Sequence, residues 1–427
     1  MSMPASGVSA GSQFFGLSAF LLMVALWDGY NLVSLSQTLP ELRATFALSV
    51  SEGGQLVALA NIGTVFGYFV LRLSDGVGRR PVLLWSLLGY SLMSLASALA
   101  PSVLWFLLGQ FGTRIFIVSA LSTALLYVAE DFPQHLRRQA MALLVSAASL
   151  GGVLCAILVP VLLTTEIGWR SVYLLGACAA VGLPYGLLKL KETTSFQALG
   201  SRVLPSMTSI WKGPHRQLLW VCSLLWILTY AVNQSAVTFW KEHALSDSHI
   251  APQQTGRYIA LAAILAIPMS AAVGPLLNRL GRLRGSLLVY LVLTIGLLGA
   301  YLLPAGLALG LSLTMMVGGA SGALVIVSTI TTESFPTEQR GDAMGWSNSL
   351  LGRIGFVLSP LFVSTLSQTH GWSSVMPYLA VFPVAALLIV WRFVPHADSP
   401  TQPSEVDAAA TPTDSARPRP TAPTARA

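Results

Sequence analysis

Asp28, Arg114 and Arg353 each stand near the middle of a long stretch otherwise almost free of charge. An ionised side chain in such surroundings is costly to hold, so it is read first as functional. A guanidinium stays charged and offers a planar fork that fits a carboxylate through two parallel hydrogen bonds. Asp28 is the one acid of the three and is therefore the expected proton-coupling residue. If it forms a structural ion pair with one arginine, the other still leaves an excess positive charge. That excess favours an organic anion as ligand. Helical spacing brings neutral groups alongside: Asn31 lies i,i+3 from Asp28, Gln110 i,i+4 from Arg114, and Ser349 i,i+4 from Arg353. Tyr230, Asn233 and Gln234 make another polar face. Trp27, Tyr30, Trp226 and Tyr230 could stack on a flat apolar body, although packing is the commoner use of such rings.

The elements that must position these residues follow from composition. Of 427 residues, 54% are hydrophobic and 10% charged, against about 25% charged in a soluble domain. This is the composition of a polytopic membrane protein. Crossing the hydrocarbon core takes about 20 apolar residues. Twelve runs qualify, near 13–36, 52–72, 81–100, 102–129, 140–163, 169–190, 218–240, 255–277, 284–304, 305–331, 341–368 and 374–394. They lack the alternation of barrel strands and must be helices, so the expected class is all-α. A six-helix bundle over 1–190, a central loop at 191–217 and a second bundle over 218–396 follow. The Pro-, Ala- and Thr-rich tail, 397–427, cannot bury a core and is expected to be disordered.

Charge sets the orientation. Even-to-odd loops hold fourteen Lys and Arg, while the opposite loops hold Arg43, Arg170, Lys241 and Arg257. Both termini are therefore expected in the cytoplasm, with the chain in the inner (plasma) membrane. The net charge of +7 is topology and not a nucleic-acid surface. No basic residue precedes Arg43, so the first run does not read as a cleaved signal peptide.

An internal repeat runs through the loops at an offset of 203. Gly78-Arg79 matches Gly281-Arg282. Glu130, Phe132, Pro133 and Arg137 match Glu333, Phe335, Pro336 and Arg340, and Gly168-Trp169 matches Gly371-Trp372. Six helices per half is an even number, so the two halves are parallel repeats.

The loop Leu71-Arg72-Leu73-Ser74-Asp75-Gly76-Val77-Gly78-Arg79-Arg80, with its partner at 274–282, resembles the signature loop of the major facilitator superfamily. Leu71 replaces the first Gly of that pattern, which allows close approach of spans two and eleven, and Asn278 replaces the Asp. Asp28-Gly29-Tyr30-Asn31, Arg114, the Glu-x-Phe-Pro-x-x-x-Arg loops and Gly352-Arg353-Ile354-Gly355 resemble the aromatic acid:proton symporters and their organic-ion relatives. That group usually has a second Asp where this chain has Asn31. The resemblance implies an alternating-access fold whose spans one, four, seven and ten line a central cavity.

Placement of charge on the arginine-rich side predicts gate pairs Arg79–Glu130 and Arg282–Glu333, with Asp75 facing the start of span eleven. The six histidines fall outside the expected spans and read as solvated loop residues, so neither a metal nor a cofactor is expected. No phosphate-binding loop or channel filter is present. The reading is a monomeric secondary carrier, not an enzyme, embedded in the bilayer and moving a small organic anion with protons. Efflux of a hydrophobic compound and a non-transporting sensor are the alternatives. A lone Pro160 after Val159 in span five speaks against the drug-exporter pattern.

Overall fold

The computed structural model of the chain describes residues 7–199, 209–212, 214–336 and 339–393. The expected tail lies outside these residues. Helices account for the described architecture, and eleven of them are long and apolar enough to cross a membrane. One, Pro252–Leu302, is 51 residues long and is broken at Gly281, whose φ of 78° is not helical. It comprises two spans, 252–280 and 282–302, which makes twelve.

The spans, numbered in order, are Gly7–Phe46, Val50–Val77, Arg79–Ala98, Val103–Asp131, Gln134–Leu162, Arg170–Lys189, Arg216–Ser246, 252–280, 282–302, Leu307–Ser334, Arg340–His370 and Trp372–Phe393. Local chemistry punctuates them. Ser49 and Glu52 form a reciprocal capping box that starts span 2. Gly78, at φ 104°, turns span 2 into span 3, as its repeat mate Gly281 does between spans 8 and 9. A β-carbon is strongly disfavoured at such positive φ.

Span 1 reaches ten residues beyond its expected end at 36, and span 7 continues past 240 to Ser246. These extensions carry Glu41, Arg43, Lys241 and Glu242, and they meet. Arg43 Nη1 lies 2.6 Å from Glu242 Oε2, while Lys241 Nζ lies 2.9 Å from Glu41 Oε1 and 2.5 Å from the Gln37 carbonyl. We call this the far face, opposite the arginine-rich loops. The apolar core closes there too. One cluster runs from Leu39, Leu42, Phe106 and Trp169 of the first half into Val232, Phe239 and Trp240 of the second. Spans 2 and 11 also touch along their length. Asn61 Nδ2 donates to the Phe356 carbonyl at 3.3 Å, and Ser51 bonds to Gln368 and Thr365. Their tight contacts fall at Gly54 and Gly345, against Ser364 and Tyr68. Large apolar side chains such as Phe66, Trp85, Trp105, Leu291 and Phe362 point outward. A bilayer supplies the apolar surroundings they require.

Candidate functional site

The central cavity is built first by close helix packing. A β-carbon on Gly29 would overlap the Ala148 carbonyl, and one on Gly151 the Leu26 carbonyl. Small residues at these places let spans 1 and 5 touch backbone to backbone. That contact holds Asp28, one residue away, toward the space between the halves.

A cavity of about 430 Å³ opens between the two halves, lined by Asp28, Arg114, Tyr230, Asn233, Gln234 and Arg353 among apolar neighbours. Asp28 is 4% and Arg114 3% exposed. Arg114 Nη1 donates to the Leu32 carbonyl at 2.8 Å, and its Nε has no hydrogen-bond partner among the described residues. Asp28 Oδ1 likewise has none. The structural ion pair between Asp28 and an arginine is not made: none of the ion pairs among the described residues includes Asp28, Arg114 or Arg353. Both guanidiniums therefore face one cavity without a carboxylate partner.

Arg353 is carried differently. Its guanidinium carbon sits 4.8 Å from the Tyr230 ring centroid and 5.0 Å from that of Phe356. The two rings flank the guanidinium as cation–π partners, and its Nε has no hydrogen-bond partner among the described residues. Just before it, Gly345–Leu351 forms a π-helical turn, closed by the Gly352 N–H donating to the Ser347 carbonyl at 2.8 Å, five residues back. Such turns insert a residue and re-aim the side chains around them. Here the turn delivers Asn348, whose Oδ1 accepts from the Tyr230 hydroxyl at 2.6 Å. Asn233 donates to the Ala320 carbonyl at 3.2 Å and Gln234 to Thr238 at 3.2 Å.

Four expected ligand residues lie outside the cavity lining, three of them hydrogen-bonded elsewhere. Tyr30 is fully buried and donates to the Val172 carbonyl at 3.0 Å. Asn31 donates to the carbonyls of Trp27 and Gly176 and accepts from Ser94. Gln110 donates to Ser97 at 2.9 Å. All three tie the first half together internally. Three residues of α-helix leave about 60° between side chains, and four add about 6 Å of rise. That is enough to turn Asn31 away from the cavity beside Asp28 and to lift Gln110 above Arg114. Trp27 packs edge-on against Tyr30, 5.5 Å between centroids, and does not line the cavity.

The signature loops are ordered as the repeat implies. Arg79 Nη2 bridges Asp75 at 3.0 Å and Glu130 at 2.9 Å, and Arg282 meets Glu333 at 2.6 Å. Arg137 Nε donates to the Phe132 carbonyl at 2.8 Å, and its repeat mate Arg340 to the Phe335 carbonyl at 3.1 Å. Arg80 donates to the Leu187 carbonyl at 2.8 Å. Each expected gate pair lies within one half, joining span 3 to span 4 or span 9 to span 10. Neither fastens one half to the other, and Asp75 is engaged by Arg79. Sequence reasoning missed Glu192, whose carboxylate accepts the backbone N–H groups of Arg79 and Arg80, and Thr193, which donates to Glu130. A carboxylate at that spot satisfies free donors at the start of span 3. His243, expected to be solvated, is 2% exposed, packed on Tyr301 and bonded to Ser248. The helical continuation of span 7 draws it inside.

The sequence model of the Major Facilitator Superfamily matches residues 14–360 and 316–425. The chain belongs to this superfamily, whose members are membrane transporters and not enzymes. It is similar to a putative niacin/nicotinamide transporter of Bacillus subtilis, 26% identical over 86% of this chain and 91% of that one. A gentisate transporter of Corynebacterium glutamicum is 25% identical over 85% and 83%. Among solved structures, the inward open xylose transporter of E. coli superposes with a TM-score of 0.71 at 19% identity, covering 90% of this chain and 97% of that one.

Proposed function

We propose that this chain is a proton-coupled carrier for a small aromatic carboxylate, working by alternating access. The observation that carries the reading is the pair of guanidiniums, Arg114 from the first half and Arg353 from the second, turned into one cavity with no carboxylate among the described residues bonded to either. An anion between them gains from both, and a ring attached to it would lie among Ile117, Leu121, Leu324 and Phe356. Among the cargoes named for the relatives, niacin and gentisate each carry one carboxylate on one ring, and nicotinamide carries the neutral amide in its place. Asp28 opens on the same cavity and is the residue proposed to take up and release the proton. The bundles 1–190 and 218–396 are the bodies that rock. With the arginine-rich loops cytoplasmic, the far face is external and is closed in this conformation by the span 1–span 7 bridges.

Counterflow of labelled nicotinate and gentisate in proteoliposomes tests this, with and without an inward proton gradient. Saturable exchange of either acid, raised to accumulation by the gradient, supports the reading. Exchange of neutral sugars or hydrophobic cations in place of the acids overturns it.

A further inference from the structure

Asn348 does not itself line the central cavity, yet a chain of contacts connects it to the anion site. Its Oδ1 accepts the Tyr230 hydroxyl at 2.6 Å. Tyr230 lies beneath the Arg353 guanidinium at 4.8 Å and meets Phe356 edge-on, 5.4 Å between centroids. Phe356 supplies the second ring over which Arg353 sits, at 5.0 Å. Behind Tyr230 stands Trp226, 5.1 Å away and fixed by a 3.0 Å bond from its Nε1 to Thr331. The guanidinium thus rests in an aromatic corner, and the direction of its N–H edge depends on the angle of the Tyr230 ring. Only the hydroxyl of that ring can be held by a directional bond, and Asn348 holds it.

Asn348 reaches Tyr230 because of the π-helical turn over Gly345–Leu351. The extra residue shifts the helix register between Asn348 and Arg353, so both face one tyrosine of span 7. Such a turn forgoes regular helix bonds and persists where the surroundings favour it. Gly352 is part of this fit: a β-carbon there would press on Trp226 and on the Ser347 and Asn348 carbonyls.

We infer that Asn348 is a positioning residue that aims the Arg353 fork, and thereby sets how strongly the site prefers a carboxylate to a neutral amide of the same shape. The inference rests on the anionic-cargo reading above. A carboxylate takes two parallel N–H bonds from an aligned fork, and an amide offers one acceptor in that plane. When the fork swings, the acid loses its second bond and the amide loses little. The Tyr230 hydroxyl proton is spent on Asn348, so it donates no hydrogen bond to a carboxylate cargo.

The test measures binding to the purified full chain of two isosteric pairs, nicotinate with nicotinamide and gentisate with its amide. Asn348→Leu removes the acceptor. The acid affinity is expected to fall about three- to tenfold with the amide affinity nearly constant, as for loss of one aligned hydrogen bond. Tyr230→Phe removes the same bond from the other end with little change in volume, and covers the case in which Asn348→Leu does not fold. It should shift the acid-to-amide ratio equally, and the double variant should go no further. Asn348→Asp keeps the acceptor, so its ratio should stay nearer the wild-type value than that of Asn348→Leu. A ratio unchanged in both single variants, or equal weakening of acid and amide, overturns the inference while leaving the cargo reading intact. Failure of the wild-type chain to bind either acid removes that reading and this inference with it.

Discussion

Arg43 Nη1 meets Glu242 Oε2 at 2.6 Å, joining the end of span 1 to the extension of span 7 across the two halves. The neighbouring bridge runs the other way in charge, from Lys241 of span 7 to Glu41 of span 1 at 2.9 Å. Glu242 is 5% exposed at its side chain and Arg43 20%, so water screens this pair only in part. Truncating one partner of such a pair leaves its mate without compensation. Glu242→Gln is therefore expected to favour separation of the far face by about 2 kcal/mol, a factor of roughly thirty. Labelling of a cysteine placed at Gln37 should rise accordingly. The exchange Arg43→Glu with Glu242→Arg should bring it back down, and labelling that stays high in the exchanged protein would deny the bridge its role.

Pro160 of span 5 and Gly256 of span 8 face each other on the same side. A β-carbon on Gly256 would stand 3.8 Å from that of Pro160, the mean separation across a disulfide. Pro160→Cys with Gly256→Cys should form a bond on oxidation. It would hold the far face shut and stop counterflow, and a reductant should restore exchange. Full exchange by the oxidised, demonstrably linked protein would mean that the far face does not open there.

Arg114→Lys and Arg353→Lys keep the charge but not the fork. Each should raise KM for an aromatic acid about ten- to a hundredfold, the worth of a charge-assisted bond, while expression is retained. Concentration dependence of counterflow reads this directly. A KM within twofold of wild type in Arg114→Lys would remove Arg114 from the site.

Asp28→Asn should leave counterflow in place and abolish accumulation driven by a pH gradient, because exchange does not require the proton to be released. Accumulation in this variant would move coupling to another residue.

The spans, the repeat and the three intramembrane charges were legible because burial in lipid constrains composition, and because the repeated loops carry identities at one offset. Asp28, Arg114 and Arg353 stood out as costly charges on that ground. Their meeting at a central cavity rested on the family resemblance, which names spans one, four, seven and ten and so did not include Arg353 of span 11. Which neighbours joined them was less legible. Helical spacing states that Asn31 is near the face of Asp28, but about 60° decides between the cavity and the bond to Gly176. Asn348 escaped notice because a π-helical turn changes the register on which spacing arguments depend. The far-face bridges escaped for another reason: ending span 1 at 36 and span 7 at 240 consigned Glu41, Arg43, Lys241 and Glu242 to solvent. The alternating signs of Glu41/Arg43 and Lys241/Glu242 are the signal that could have revealed them. Glu192 carries no pattern of its own, since capping a helix from a distant loop is a tertiary event.

Asp247 lies just beyond span 7 and caps the start of span 12, accepting the Trp372 and Ser373 N–H groups at 2.8 and 3.1 Å. Partial burial works to raise its pKa, but the Ser373 N–H, the Ser246 hydroxyl, the His243 charge and the Trp372 N–H together hold it below the ordinary carboxylate range. A depressed folded-state pKa contributes stability above the unfolded value of about 3.9 and loses it as pH falls through the folded one. Asp247→Ala should therefore lower stability at neutral pH by about 1 kcal/mol, the usual worth of a cap. The difference in Tm from wild type should shrink as pH drops below about 4, where both chains lack the charge. Thermal unfolding in detergent across that range measures it. A difference that is constant with pH would show that the carboxylate acts by packing, and not as a charged acceptor at the helix start.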